Sequence, residues 1–345
     1  MIKVRNPLKI AVVNSSPDVY NLAVHRIFNY HEARGDSVTI AQGNALFLPE
    51  VWDADKIYFS VIFTWDLPSM VDNVNLFKQR GKEIEIGGPA ATAMADFVQG
   101  KTSVVPAFGL DGRFESVMGN DYEAVFTSRG CPRGCSFCIV QKVEGRKMIE
   151  YDDFPIPVGV NPWICDNNIL ATSWEHQQLV IKKLKDVKNL DINSGFDCRI
   201  FVRDMDRYYD LYSQLHLERW RFAYDKEEER EPLQKCADYL HNKGVRYSAI
   251  SVFCLVGDTD QGDTFEQARK RLQFLVDIDV SPYPMRYRPL DSLVRDFTPK
   301  GWNDTDMNAL FGYYGVPQYW RTCKWEDFHK SFKNEAKQQK ERLAI

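Results

Sequence analysis

Three cysteines in the stretch "TSRGCPRGCSFCIV", Cys131, Cys135 and Cys138, are the residues of this chain best suited to chemistry. They follow an apolar, strand-like run and share a loop with Gly130, Pro132 and Gly134, so three thiolates can converge on one point. Three thiolates leave one iron of a four-iron cluster without a protein ligand, and that iron can take an exogenous one, which an ordinary electron-transfer cluster cannot. A structural zinc site competes for the same residues, but it wants four ligands, and Cys165 and His176 lie far along the chain. A Cys-x-x-Cys redox pair would use Cys135 and Cys138 and leave Cys131 unexplained.

Such a loop needs a framework. The chain's 345 residues, 44% hydrophobic and 27% charged, suffice for two domains. Ile10 to Val13, then "NSSPD", then helical spacing at Val24, Ile27, Phe28 and His31 read as strand, turn and helix. "ARGDSVTI", "KIYFSVIF" and "KEIEIGGP" supply further strands, the last preceded by a helix, "PSMVDNVNLFKQ", that Gly81 stops. This alternation predicts an α/β fold with an N-terminal doubly wound, Rossmann-like parallel sheet over residues 1–115.

Between Ala91 and Tyr122 the pattern is less regular and reads as a connection. From Tyr122 onward, "EAVFTS", "PWICDNNIL", "NLDINSGFD", "RWRFAYD", "RYSAISVFCLVGD" and "VSPYPMRYRPL" are strand-like. The helical stretches "SWEHQQLVIKKLKDV", "RDMDRYYDLYSQL", "EREPLQKCADYLHNKG" and "TFEQARKRLQFLVDI" separate the later ones. Six such units over residues 116–295 predict a partial (β/α)6 TIM-type barrel whose chemistry sits at the polar carboxyl ends of its strands. The aromatic-rich segment 296–345 reads as an extension packed on that barrel, with a stacking surface for a nucleobase as the alternative.

The run "CPRGCSFC" matches the Cys-x-x-x-Cys-x-aromatic-Cys signature of the radical S-adenosylmethionine (SAM) superfamily, and the chain resembles that family. The resemblance implies a 4Fe-4S cluster on Cys131, Cys135 and Cys138, with SAM chelated by the open iron. It also implies reductive cleavage of SAM to methionine and a 5′-deoxyadenosyl radical that abstracts hydrogen from a substrate. Phe137 becomes the aromatic packed near the adenine. Where many members carry Gly-Gly-Glu on the second strand, this chain has "ICDNNIL". That run is similar to the strand end of members with a cobalamin-binding-type domain ahead of the barrel. Asp166, Asn167 and Asn168 are therefore the expected contacts to the SAM amino group and ribose, and turn capping accounts for them as well.

On the third strand Asn193, Ser194, Asp197 and Arg199 are candidates for ribose and carboxylate recognition. A salt bridge between Asp197 and Arg199, which period-two alternation puts on one face, is the competing account. Gly257 is an expected SAM contact and Asp258 a cap for the next helix. Cys165, Cys198 and Cys254 are candidates for a hydrogen-atom donor or methyl carrier, against plain packing. Arg221, Arg286 and Arg288 line the cavity or form surface salt bridges. Lys142, Arg146 and Lys147 read as an exposed charged loop, or as the meeting point for an anionic substrate or reducing partner.

The opening ninety residues, with "NLAVHRIFNYHEARGDSV" and "IEIGGPAAT", resemble the cobalamin-binding-type domain itself. The Asp-x-His-x-x-Gly loop commonly used to bind cobalamin is here "SSPDVYN", without histidine, so cobalamin is not expected, and His25 and His31 read as helix-face residues. The implied partner is a flavodoxin- or ferredoxin-type electron donor. The substrate, a small molecule, a peptide or RNA, is left open. Radical methylation, or modification of RNA or a peptide, is an alternative reaction, and a non-catalytic Fe-S or zinc-binding protein is the alternative from another class. A net charge of −4 gives no global attraction to nucleic acid. Lys330, Lys333, Lys337 and Lys340 read as the solvated face of a last helix. The start, "MIKVRNPLKIAVVNSS", is too short in apolar residues for a signal core or a membrane span, which predicts a cytoplasmic protein with no membrane partner and with its eight cysteines as thiols or ligands.

Overall fold

The computed structural model describes residues 6–104 and 113–343, with side chains as far as 338; Met1 to Arg5 and the side chain of Lys340 lie outside the described residues. The chain is α/β with parallel sheets and 44% helix. It divides into two compact units, one of Met1–Asn167 with Pro289–Arg295 and one of Asn168–Arg288 with Asp296–Ile345. Among the described residues no helix is long and apolar enough to cross a membrane.

In the first unit, β1 (Lys9–Asn14), β2 (Ser37–Gln42), β3 (Lys56–Ser60) and β4 (Glu83–Gly87) form a parallel sheet in the order β2-β1-β3-β4. Alternation along β1 sends Ala11 and Val13 into one core with Ile57, Phe59 and the helix Leu67–Gln79. Ile10 and Val12 enter a second core with Tyr58 and with Val24 and Ile27 of the helix Leu22–Glu32. Helices thus cover both faces, which explains why the central strands read as nearly unbroken apolar runs.

The strand order reverses between β1 and β3, which opens a crevice at their carboxyl ends. Here the side chains close that crevice on themselves. The Asn21 amide donates to Asn14 Oδ1 and to Ser60 Oγ, each at 3.0 Å, and the Ser15 and Ser16 hydroxyls donate to Asp66 Oδ2 at 3.1 and 2.6 Å. His31 is buried between Asp36 Oδ2, 2.7 Å from Nδ1, and the Tyr58 hydroxyl, 3.0 Å from Nε2. The same unit carries four short strands, β5 (Ala124–Val125), β6 (Ser128–Arg129), β7 (Ile149–Glu150) and β8 (Trp163–Ile164). β5 pairs parallel with β8, and β6 antiparallel with β7.

The second unit holds β9 (Asp191–Ile192), β10 (Trp220–Ala223), β11 (Ile250–Val256) and β12 (Ser281–Arg286), the last three forming a parallel sheet. Helices Trp174–Leu184, Met205–Tyr212, Arg230–Asn242 and Phe265–Asp277 lie where the apolar spacing places them. Two local expectations are corrected. Strand alternation does not extend over 193–199. β9 stops at Ile192, the chain turns at Gly195 (φ +77°), and Asp197 caps the short helix Cys198–Phe201 by accepting the Arg199 N–H at 3.1 Å. A short acidic side chain that satisfies a helix N–H competes with the ladder, and here it wins. Nor does Asp258 cap the next helix, because Thr264 and Gln267 form a capping box at the start of Phe265–Asp277.

The C-terminal aromatics are spent on packing within this unit. Tyr313, Tyr314 and Trp325 are buried, with the Trp325 ring centroid 5.4 and 5.8 Å from those of the two tyrosines. On the helix Trp325–Leu343, Lys330, Lys333 and Lys337 are exposed.

Candidate functional site

The cysteine loop leaves β6 at Gly130. That residue has φ +83°, and a Cβ on it would lie 2.1 Å from the Lys147 carbonyl oxygen, so only glycine fits. The loop is then laced by backbone contacts: Cys131 N–H donates to Gly145 O at 3.3 Å, and Cys138 N–H donates to Cys135 O at 3.2 Å. The second of these sets Cys135 and Cys138 on one turn. Gln141 donates to Cys135 O at 3.3 Å, and Arg146 donates to Pro132 O at 2.9 Å, so Arg146 ties the loop together while remaining exposed.

All three cysteines and Phe137 are half-buried, and among the described residues no cysteine forms a disulfide. No group of three or more His, Cys, Asp or Glu side chains among the described residues is gathered in a way that could hold a metal ion as the side chains stand. The chemistry of the donor set nevertheless suits a sulfur-rich cluster: three thiols share one short loop, and no carboxylate or imidazole stands among them in the sequence.

Behind the loop, Asp166 is completely buried. It accepts from Thr127 N–H at 2.6 Å, from the Thr127 hydroxyl, and from the Ser128 hydroxyl at 2.8 Å. Burial raises its pKa above the usual carboxylate range, and those hydrogen bonds oppose the rise. Its role is visible: it staples the ends of β5 and β6, the strands that launch the loop. Asn167 donates to Glu144 Oε2 at 2.6 Å, and the same oxygen accepts Gly130 N–H at 2.8 Å.

Glu144 belongs to a buried ladder of charges. Arg129 Nη1 donates to Glu144 Oε1 at 2.9 Å, while its Nε and Nη2 donate to Glu115 at 2.9 and 3.0 Å. Glu115 also accepts from Arg26 Nη1 at 2.6 Å and from the Tyr151 hydroxyl at 2.7 Å. Burial pushes Glu115 up, but the two arginines outweigh it and hold the carboxyl below its ordinary value. None of these four charges stands out in the sequence, because the partners are as much as 89 positions apart.

In the second unit, Asn168 is buried, donates to Asp197 Oδ2 at 3.2 Å and keeps its own Oδ1 without a partner. Asn193 and Ser194 are exposed. Arg199 is shared between Asp197, 3.0 Å from Nε, and Glu229, 2.8 Å from Nη1, so the Asp197–Arg199 salt bridge that competes with the ligand-recognition reading forms, through a helix cap rather than strand parity. Gly257 (φ +91°) lies where a Cβ would meet Pro299 at 2.7 Å, and its N–H donates to Asp263 Oδ2 at 2.9 Å. Arg221 is paired with Asp191 at 2.5 Å. Asp225, two residues past the end of β10, accepts Leu255 N–H at 2.8 Å; burial, reinforced by the neighbouring Glu229 charge, pushes its carboxyl up to about 7.

The remaining candidate cysteines differ in access. Cys165 is half-buried, whereas Cys198 and Cys254 are buried, and burial pushes both of the latter thiols up to about 12. Compared with known proteins, the chain matches no protein-family model and no curated protein.

Proposed function

We propose that this chain is a radical SAM enzyme in which Cys131, Cys135 and Cys138 hold a 4Fe-4S cluster and SAM is cleaved reductively to abstract hydrogen from a substrate. The observation that carries the reading is the loop itself. Three half-buried thiols follow a strand at the spacing Cys-x-x-x-Cys-x-x-Cys, on backbone fixed by Gly130, Gly145 and the Glu144 carboxylate. When bound, the cluster would supply the electron that SAM cleavage consumes.

The chain's own residues then have to orient SAM and its target. In the second unit, Asn168 Oδ1 and Asp258 Oδ1 are buried acceptors without a hydrogen-bond partner among the described residues. Arg199 is a weaker candidate for the SAM carboxylate, since two protein carboxylates already hold it. Asp166, bonded to Thr127 between β5 and β6 and to Ser128 at the start of β6, positions the loop rather than the cofactor.

The sheet order β2-β1-β3-β4 supports a Rossmann-like, cobalamin-type ancestry for the first unit, and the parallel order β10-β11-β12 with its intervening helices supports a barrel-type second unit. Cobalamin itself does not fit. The loop after β1 offers no histidine, and its Asn14, Ser15 and Ser16 side chains are bonded to Asn21 and Asp66. A flavodoxin- or ferredoxin-type donor in the cytoplasm completes the proposal.

Anaerobic reconstitution followed by iron and sulfide analysis is expected to give about four of each per chain, and SAM with dithionite to yield 5′-deoxyadenosine. Retention of iron without any 5′-deoxyadenosine would overturn the enzymatic reading in favour of a binding protein. Zinc retained in place of iron would overturn the cluster as well.

A further inference from the structure

We infer that the exposed side of the cysteine loop is the docking surface for an acidic electron-carrier protein, with Lys142, Arg146 and Lys147 as its cationic contacts. This rests on the cluster reading above, which leaves the electron to be delivered from outside the chain. It adds where the carrier sits and what charge its surface must bear.

Between Arg129 and Lys147 the chain carries five cations, Arg129, Arg133, Lys142, Arg146 and Lys147, and one carboxylate, Glu144. That carboxylate is turned inward: its side chain is 7% exposed and is held by Arg129 at 2.9 Å and by Gly130 N–H at 2.8 Å. Lys142, Arg146 and Lys147 are exposed, and none of the three forms an ion pair among the described residues.

The backbone sets all three around the thiols. Lys142 sits on the short helix Val140–Val143 that follows Cys138, and Gly145 O accepts Cys131 N–H at 3.3 Å, which brings the next two residues, Arg146 and Lys147, beside Cys131. Arg146 Nη2 donates to Pro132 O at 2.9 Å and would lie 3.6 Å from a Cβ on Gly134, so its guanidinium rests on the loop between Cys131 and Cys135. The acids that follow run away from the loop. Glu150 is in register with Ser128, and Tyr151 N–H donates to Thr127 O, both of which precede it.

This arrangement selects a protein partner. Exposed cations in a high dielectric hold a small anion weakly, and small-molecule sites are concave. Spread over a surface, the same charges steer a large partner of opposite sign, and electron-transfer complexes are small and electrostatically guided. The net charge of −4 repels a long nucleic acid elsewhere on the chain, while this local patch still meets a compact acidic face.

The test has two arms. In the first, the iron-free full-length chain is titrated calorimetrically with an acidic flavodoxin and, separately, with an acidic ferredoxin, at about 20 mM salt. Saturable binding of at least one is expected, about tenfold weaker in Lys142→Glu/Lys147→Glu. It should stay within about twofold of the parent in the charge-matched control Lys182→Glu/Lys330→Glu, whose lysines are exposed on helices of the second unit. In the second arm, the rate of 5′-deoxyadenosine formation with the reduced carrier, divided by the rate with dithionite, should fall about tenfold in the first variant alone. The first arm needs no cluster, so loss of the enzymatic reading, seen as no 5′-deoxyadenosine with dithionite, leaves the docking surface to be decided by binding. Binding of neither carrier would overturn the inference, and so would equal weakening by both variants. Patch-dependent binding of an RNA oligonucleotide in place of the carriers would overturn the protein assignment. Should the glutamate pair fail to fold, Lys142→Gln/Lys147→Gln takes its place, with about threefold weaker binding expected.

Discussion

The thiols of the cysteine loop and those of the second unit share a residue type and little else. Cys131, Cys135 and Cys138 are half-buried on a loop held by backbone contacts. Cys198, Cys236 and Cys254 are buried; burial pushes Cys198 and Cys254 up to about 12 and Cys236 higher still, and the Cys236 thiol points at the Cys198 carbonyl oxygen, 3.7 Å away. A thiol becomes a ligand or nucleophile through its thiolate, so burial removes the second group from that chemistry and leaves it to packing.

The largest effect should come from the pair Cys135→Ala and Cys254→Ala, assayed for bound iron and 5′-deoxyadenosine. The first is expected to lower both by more than about a hundredfold, and the second to leave both within about twofold of the parent chain while costing about 2 kcal/mol of stability. Equal losses from the two would erase the distinction.

Maleimide labelling of the iron-free chain gives the next contrast. With thiols near 12, Cys198 and Cys254 should react about a thousandfold more slowly than an ordinary cysteine until urea exposes them, while the loop cysteines label in the folded chain. Mass spectrometry of the labelled peptides reads this out.

The smallest effect concerns Asp225, whose charge adds to the elevation of Cys254. Its carboxyl titrates near 3.8 in the unfolded chain and near 7 in the folded one, so the folded chain keeps a proton that the unfolded chain has released. Its contribution to stability is therefore full below about pH 3.8, declines as pH rises through about 7, and levels off above. Asp225→Asn, which retains the acceptor for Leu255 N–H, is expected to flatten this decline, on the order of a few kcal/mol, in urea unfolding measured from pH 4 to 8. An unchanged pH profile would mean that Asp225 is ionised throughout.

How much of this was legible from the residues depends on how local the determining contacts are. The helix Phe265–Asp277 and strand β11 could be read directly, because apolar spacing repeats within each. The end of β9 could not, since Asp197 favours its own helix cap over the ladder, a contest decided over two residues. Asp166 read as a cofactor contact because it stands at a strand end; its partners Thr127 and Ser128 lie 39 and 38 positions away. Arg26 gave no signal at all, its carboxylate partner lying 89 positions downstream. Spacing reveals what a segment can become, and the tertiary fold decides which side chains remain available.

The membership of Pro289–Arg295 in the first unit bears on how the protein is made. Leu293 packs against the core beneath the N-terminal sheet, and Ser292 accepts a hydrogen bond from the Thr64 hydroxyl through its carbonyl. A nascent chain emerging from the ribosome therefore cannot finish its first unit until most of the second has been synthesised. Truncation after Asn167, however natural it looks as a domain cut, would leave that core uncovered, and the two units are to be expressed as one polypeptide.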